Sequence, residues 1–193
     1  MSAAATPAIV YLHGFCSSPA STKARQLADA LAARGQADRL FCPELSPVPD
    51  EAIAQVEAII AAQRRPLTLV GSSLGGFYAT VLAEKHGLRA ALINPAVISS
   101  LEPALFVGRQ TNLYTGVAFE FTHAHVAQLV ALDVARPTPG RYLLLVETGD
   151  EVLDYRHAVA RYAGCRQLVL PGGNHSFVRF PDYLPQLFEY CGL

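Results

Sequence analysis

The chain has almost no surplus charge. Its 15 lysines and arginines stand against 16 aspartates and glutamates, a formal net charge of -1. A nucleic-acid-binding surface needs a basic excess to neutralise phosphates, and none is present. No run of like charges suggests a tail or a membrane-surface stripe. Long apolar runs are also missing: Leu143–Val146 is far shorter than the roughly 20 residues that span a bilayer. The segment from Met1 to Ala8 lacks both a basic region and an apolar stretch, so it does not read as a secretory leader. The expected location is therefore the cytoplasm, with no membrane partner. Cysteine is sparse: Cys16, Cys42, Cys165 and Cys191 lie far apart with no C-x-x-C pair. That argues for reduced, mostly buried thiols rather than a disulfide framework.

Apolar residues, by contrast, are plentiful. They make up 51% of the 193 positions against 16% charged, which excludes a disordered chain and allows a full core. The length fits a single domain over 1–193. Two kinds of segment alternate along it. Short β-branched or leucine-rich runs occur at Ala8–Leu12, Arg39–Cys42, Leu67–Val70, Ala90–Ile93, Tyr142–Glu147 and Gln167–Leu170. Most are apolar throughout, as suits strands buried on both faces of a parallel sheet. Between them fall helical stripes: Ala24, Leu27, Ala28 and Leu31 before Gly35, and Ile53, Val56 and Ile60 after Asp50 as N-cap. Further stripes are Leu74, Tyr78, Val81 and Leu82 before Gly87, then Tyr155, Ala158, Val159 and Tyr162 after Asp154, and Leu184, Leu187 and Phe188 after Asp182. The alternation predicts an α/β fold of right-handed βαβ units. One connection, 95–141, is longer than a single helix requires. It contains one helical candidate, Thr122 to Ala131, with Val126, Leu129 and Val130 on one face, and reads as a small cap over the site.

The third strand runs into Gly71-Ser72-Ser73-Leu74-Gly75-Gly76, and a helix follows. Gly71-x-Ser73-x-Gly75 in that setting is a nucleophile-elbow pattern. So tight a turn forces the residues two positions either side of the serine together, so only small residues fit there. A serine hydroxyl needs a base to take its proton. His175, in Gly172-Gly173-Asn174-His175 beyond the last strand, is the candidate. Asp150, after the fifth strand, is the acid that would hold the imidazole. Asp154, Glu147 and Glu151 compete with it, Asp154 reading rather as an N-cap. An oxyanion hole needs two backbone donors. The Leu74 N–H is one candidate and the Phe15 N–H, in the loop His13-Gly14-Phe15-Cys16 after the first strand, is the other. The first and third strands are expected to be neighbours with the second outside the first, placing the site where strand order reverses.

At these residues the sequence resembles the YqiA/YcfP-like esterases of the α/β-hydrolase superfamily. The likeness rests on Tyr11-Leu12-His13-Gly14-Phe15 with Ser17-Ser18-Pro19, Val70 to Gly76, Asn94-Pro95-Ala96, Tyr114-Thr115-Gly116, Thr148 to Arg156, and Gly172 to His175. It covers nearly the whole chain. It implies a three-layer sandwich with a mainly parallel sheet of about six strands, in the order 2-1-3-4-5-6, and a small cap between strands 4 and 5. It also implies hydrolysis of short acyl esters or thioesters by Ser73, Asp150 and His175, without metal or cofactor. Amide or peptide cleavage by the same groups, and a binding protein on a hydrolase scaffold, are the alternatives.

Other polar residues suit humbler roles. His13 fits the shaping of the oxyanion loop better than a second base. His123 and His125 lack an evident third zinc ligand, and His86 and His157 read as helix-surface residues. Phe106, Tyr114, Phe119 and Phe121 are expected either to line an acyl pocket or to form the cap's own core. The role of Cys16 is left open by its sequence context.

Overall fold

In the computed structural model, residues 6–102 and 106–193 are described. Residues 1–5, within the segment read for a leader, and 103–105, within the long connection, lie outside them. The strands are β1 (Ala8–Leu12), β2 (Leu40–Phe41), β3 (Leu67–Ser72), β4 (Arg89–Ile93), β5 (Gly108–Thr111), β6 (Ala118–Phe121), β7 (Tyr142–Glu147) and β8 (Arg166–Leu170). The helices are α1 (Thr22–Ala33), α2 (Pro49–Ala62), α3 (Leu74–His86), α4 (His123–Leu132), α5 (Tyr155–Arg161) and α6 (Leu184–Cys191).

Six strands form one sheet in the order β2-β1-β3-β4-β7-β8, every pair parallel. With β5 and β6 set aside, this is the order 2-1-3-4-5-6 expected from the sequence. Strands β1, β3 and β7 are buried along their whole length because helices cover both faces. Alternate residues of one strand feed different layers. Val10 and Leu12 pack with residues of α2, α3, α4 and α5, whereas Ile9 and Tyr11 pack with Ala24, Leu27 and Leu31 of α1 and Leu187 and Phe188 of α6. The result is a three-layer α/β sandwich.

The long connection between β4 and β7 carries a two-stranded antiparallel hairpin, β5-β6, followed by α4. These four-residue strands were not legible as such. Gly108-Arg109-Gln110-Thr111 has alternation but little apolar character, and the turn at Asn112–Gly116 masks the pairing. That turn is chemically ordinary: Asn112 Oδ1 accepts the N–H groups of Tyr114 and Thr115 at 2.9 and 3.0 Å.

Two local expectations need correction. Asp50 does not cap α2. Val48 is the N-cap, Pro49 opens the helix, and Asp50 lies in the first turn, where its charge suits the helix dipole. In α4, Leu129 and Val126 pack inward, but Val130 is 60% exposed, because one further residue rotates about 100° around the helix. Thr122 caps α4 with an unusual partner. Its side chain accepts the His125 N–H at 3.4 Å while His125 Nδ1 accepts the Thr122 N–H at 3.2 Å, so His125 serves the helix end.

Candidate active site

Strand β3 ends at Ser72 and α3 starts at Leu74, which leaves Ser73 as the joint. Its backbone is strained, with φ 56° and ψ -122°. Such a conformation in a non-glycine residue costs on the order of 1–3 kcal/mol and persists only where the surroundings hold it. Here the Ser73 N–H donates to Ile93 O at 3.0 Å, and the Ser73 carbonyl accepts from Ala96 N–H at 3.0 Å, tying the joint to the end of β4. The flanking glycines leave no room for a side chain. A Cβ on Gly71 would lie 2.2 Å from Gly75 O, and one on Gly75 would lie 2.0 Å from Leu12 O. Gly76 is constrained almost as closely, 2.7 Å from Pro95 Cβ, a requirement the elbow pattern alone did not reveal.

The loops after β7 and β8 bring two further groups to this joint. His175 Nε2 lies 3.1 Å from Ser73 Oγ, and its Nδ1 lies 2.8 Å from Asp150 Oδ2 and 3.0 Å from Oδ1. The Asp150 side chain is 1% exposed, and Oδ1 also accepts the N–H groups of Val152 and Leu153 at 2.9 and 2.8 Å. A carboxylate so placed fixes the tautomer: Nδ1 carries the proton and donates to Asp150, leaving the Nε2 lone pair toward the hydroxyl. It is the hydroxyl of Ser73, not that of Ser72, which meets the imidazole. The competing acids do other work. Asp154 caps α5 through the Arg156 N–H at 3.0 Å, and Glu151 accepts the His175 backbone N–H at 2.9 Å.

Glu147 and Asn94 hold the histidine loop. Glu147 Oε2 accepts the Asn174 N–H at 2.7 Å, and Oε1 pairs with Arg179 Nε at 2.7 Å. Asn94, with φ 40°, donates from Nδ2 to the carbonyls of Asn174 and His175 at 3.1 and 3.3 Å, while its Oδ1 accepts the Glu147 N–H at 3.0 Å. Asn94 belonged to a recognisable motif, but nothing local indicated this bridging part. Among the described residues, four non-glycines have positive φ: Cys16, Ser73, Asn94 and Phe177. All four sit in the loops that build this site.

The loop after β1 closes the other side. A Cβ on Gly14 would stand 3.2 Å from Ser73 Cβ, so the chain passes close over the serine. Among the described residues, neither the Phe15 N–H nor the Leu74 N–H has an acceptor. His13 is spent on the loop: Nδ1 donates to Gly14 O at 3.0 Å and Nε2 accepts the Leu45 N–H at 3.0 Å. Burial lowers its pKa, which suits this neutral form. Cys16 acts as a tether through its backbone. Burial raises its pKa, and its carbonyl accepts the Leu113 N–H at 2.9 Å, tying the cap hairpin to the loop.

Among the described residues, two cavities reach Ser73. The smaller, about 50 Å³, is walled by Phe15, Leu74, Leu101, Phe106, Phe121 and other apolar side chains. The second, about 190 Å³, is polar and is lined by both Ser73 and His175. A third, larger hollow of about 390 Å³ runs beyond Phe15 and Leu74 beneath Phe119. The cap aromatics thus divide. Phe106 and Phe121 wall the smallest cavity, Phe119 the largest and Tyr114 the polar one, while Phe15 packs edge-on against Phe106, Phe119 and Phe121 at 5.8, 5.8 and 5.0 Å.

Sheet order, cap position and elbow together define an α/β-hydrolase fold, and solved structures agree. The chain superposes on alpha/beta hydrolase domain-containing protein 10 from mouse with a TM-score of 0.72 at 16% identity, covering 97% of this chain and 90% of that one. For Est1E from Butyrivibrio proteoclasticus the values are 0.70 and 15%, with 100% and 91% covered. For a monoacylglycerol lipase from Paleococcus ferrophilus they are 0.68 and 14%, with 97% and 96% covered. At such identities the likeness is one of fold. The sequence itself is more specific: the chain belongs to the uncharacterised protein family UPF0227, whose profile matches residues 8–192, and this is the YqiA/YcfP-like family that its motifs resemble.

Proposed function

We propose that this protein is a serine hydrolase of short-chain acyl esters or thioesters, with Ser73 as nucleophile, His175 as base and Asp150 as the acid that orients it. The observation that carries the reading is the continuous chain of contacts from hydroxyl to imidazole to buried carboxylate, at 3.1 and 2.8 Å. In the first half-reaction His175 Nε2 takes the Ser73 proton as Oγ attacks the acyl carbon. The oxyanion that forms is received by the unengaged N–H groups of Phe15 and Leu74. Collapse expels the alcohol or thiol, which takes its proton from His175 and leaves an acyl-Ser73 ester. Water, deprotonated by the same imidazole, then attacks that ester; as this second intermediate collapses, Ser73 Oγ leaves with the proton held on His175 Nε2 and the acid departs. Every step is carried by groups of the chain itself.

The small apolar cavity beside Ser73 supports a short acyl group. Among the similar structures one is a monoacylglycerol lipase, and Est1E has been solved with ferulic acid bound, which supports an ester as the class of substrate. The test is covalent labelling by a fluorophosphonate, alongside hydrolysis of p-nitrophenyl esters of rising chain length and of acyl-CoA thioesters. Labelling and turnover, both lost in Ser73→Ala, are expected. A folded wild type that neither labels nor turns over would instead indicate a binding protein.

A further inference from the structure

The polar cavity of about 190 Å³ lies between the Ser73–His175 pair and the start of α1. Three features converge there. The first is the amino end of α1, a helix of 12 residues. Its N-cap, Ser21, makes no side-chain bond to the first turn, so the positive end of the dipole at Thr22 and Lys23, which line the cavity, carries no side-chain cap. The second is that same serine. It is only 7% exposed and lines the cavity, but its Oγ is closed off from solvent and lies beside the Tyr11 hydroxyl, so it shapes the wall and offers no donor. The third is Lys23, two residues further on. Its Nζ donates to Ser176 O at 2.7 Å, which leaves two N–H donors.

Among the described residues Lys23 has no carboxylate within ion-pairing distance. The two acids nearest in charge, Asp150 and Glu147, are committed to His175 and Arg179. Burial pulls the lysine pKa down to about 8 even though both acids pull it up, as expected of a cation whose compensation is incomplete. An ammonium with two unspent donors, beside the positive end of α1 and in the same cavity as Ser73 and His175, forms a receptor for an oxyanion.

We propose that this cavity is a subsite for a carboxylate or phosphate carried by the leaving group, so that the substrates are acyl esters or thioesters of anionic alcohols or thiols. The assignment to the leaving group rests on the hydrolase reading above. The departing oxygen or sulfur takes its proton from His175, and His175 lines this cavity but not the small apolar one. The apolar cavity has no charged wall, so the acyl chain occupies it and the anion goes to the Lys23 side.

The test compares three activated acetates: 4-nitrophenyl acetate, its ring-carboxylated analogue, and a phosphate-bearing phenyl acetate of matched leaving-group acidity. The wild type is expected to prefer at least one anionic ester by about tenfold in kcat/KM, roughly the worth of one charge-assisted hydrogen bond, mainly through KM. The anion preferred tells carboxylate from phosphate. In Lys23→Met the anionic-to-neutral ratio falls to near one, and Lys23→Arg restores much of it. Because each variant is read as a ratio on the same preparation, a folding loss cancels. Wild-type hydrolysis of the neutral ester with no anionic advantage, or a ratio untouched by Lys23→Met, overturns the subsite alone. Failure to hydrolyse any of the three overturns the hydrolase reading and the subsite with it.

Discussion

A Cβ placed on Gly173 would stand 2.0 Å from Oε2 of Glu147, inside its carboxylate. Glu147 ends β7 with its side chain wholly buried, and Gly173, at φ +77°, occupies the backbone conformation that side chains rarely adopt. The empty volume of the glycine is filled by the acid. The acid in turn fixes Asn174, and the next residue is His175. Two residues distant in sequence thereby set where the imidazole stands.

Gly173→Ala is therefore expected to be costly twice over. Strain at positive φ and the clash with Glu147 should together cost at least about 2 kcal/mol in urea unfolding. The displaced loop should lower kcat by about a hundredfold, as small misplacements of a catalytic group do. An alanine variant with wild-type stability and turnover would show that the loop is held by other means.

Removing the acid tests the same bond from the other side. Glu147→Ala leaves the Asn174 N–H without its acceptor, while the half-exposed Arg179 turns to water, and a loss of about 2 kcal/mol is expected, chiefly from the unpaired amide. Glu147→Gln retains an oxygen for Asn174 and should lose less. Chemical denaturation of the two variants ranks them, and equal losses would mean that the charge alone matters.

These residues mark where the sequence stopped being readable. Ser73, Asp150 and His175 stood out because each falls just beyond a strand with turn residues around it, and a strand followed by such a turn is a local pattern. Gly71 and Gly75 belong to that same pattern. Asn94, Glu147 and Arg179 act through contacts across separations of 53, 27 and 32 residues, and no local spacing encodes them. Most β-strands of the sheet were legible because they are apolar along nearly their whole length, the edge strand β8 being the most exposed. The cap hairpin was not, because β5 and β6 lie largely at the surface and are only four residues long.

The acid assignment can be separated from its neighbours. Asp150→Asn preserves shape but favours the wrong tautomer of His175, and kcat should fall by about three to four orders of magnitude. Asp154→Asn, four residues on, retains a good N-cap for α5 and should leave turnover close to wild type. Steady-state kinetics on one ester decides it. The reverse ranking would move the acid to Asp154.

Acyl length should be governed by the wall of the small cavity. Phe106 packs on Phe15 and closes the space beside Ser73. Phe106→Ala should extend that space, shifting the preferred substrate from acetyl or butyryl esters toward octanoyl esters. A profile of p-nitrophenyl esters checks this, and an unchanged preference would place the acyl chain in the larger hollow beneath Phe119.

The lysine beside the leaving group gives a pH dependence of definite sign. Burial lowers the Lys23 pKa to about 8, against the opposing pull of Asp150 and Glu147. Below that value the side chain is charged and an anionic leaving group is favoured. As pH rises through it, the charge is lost and the preference should decay toward that of Lys23→Met. His175 and Ser73 act equally on neutral and carboxylated acetates, so their own titration divides out of the ratio of kcat/KM. Lys23→Arg should flatten the profile, since a guanidinium stays charged throughout the range. A wild-type ratio that is constant from neutral to alkaline pH would mean that the ammonium does not touch the substrate.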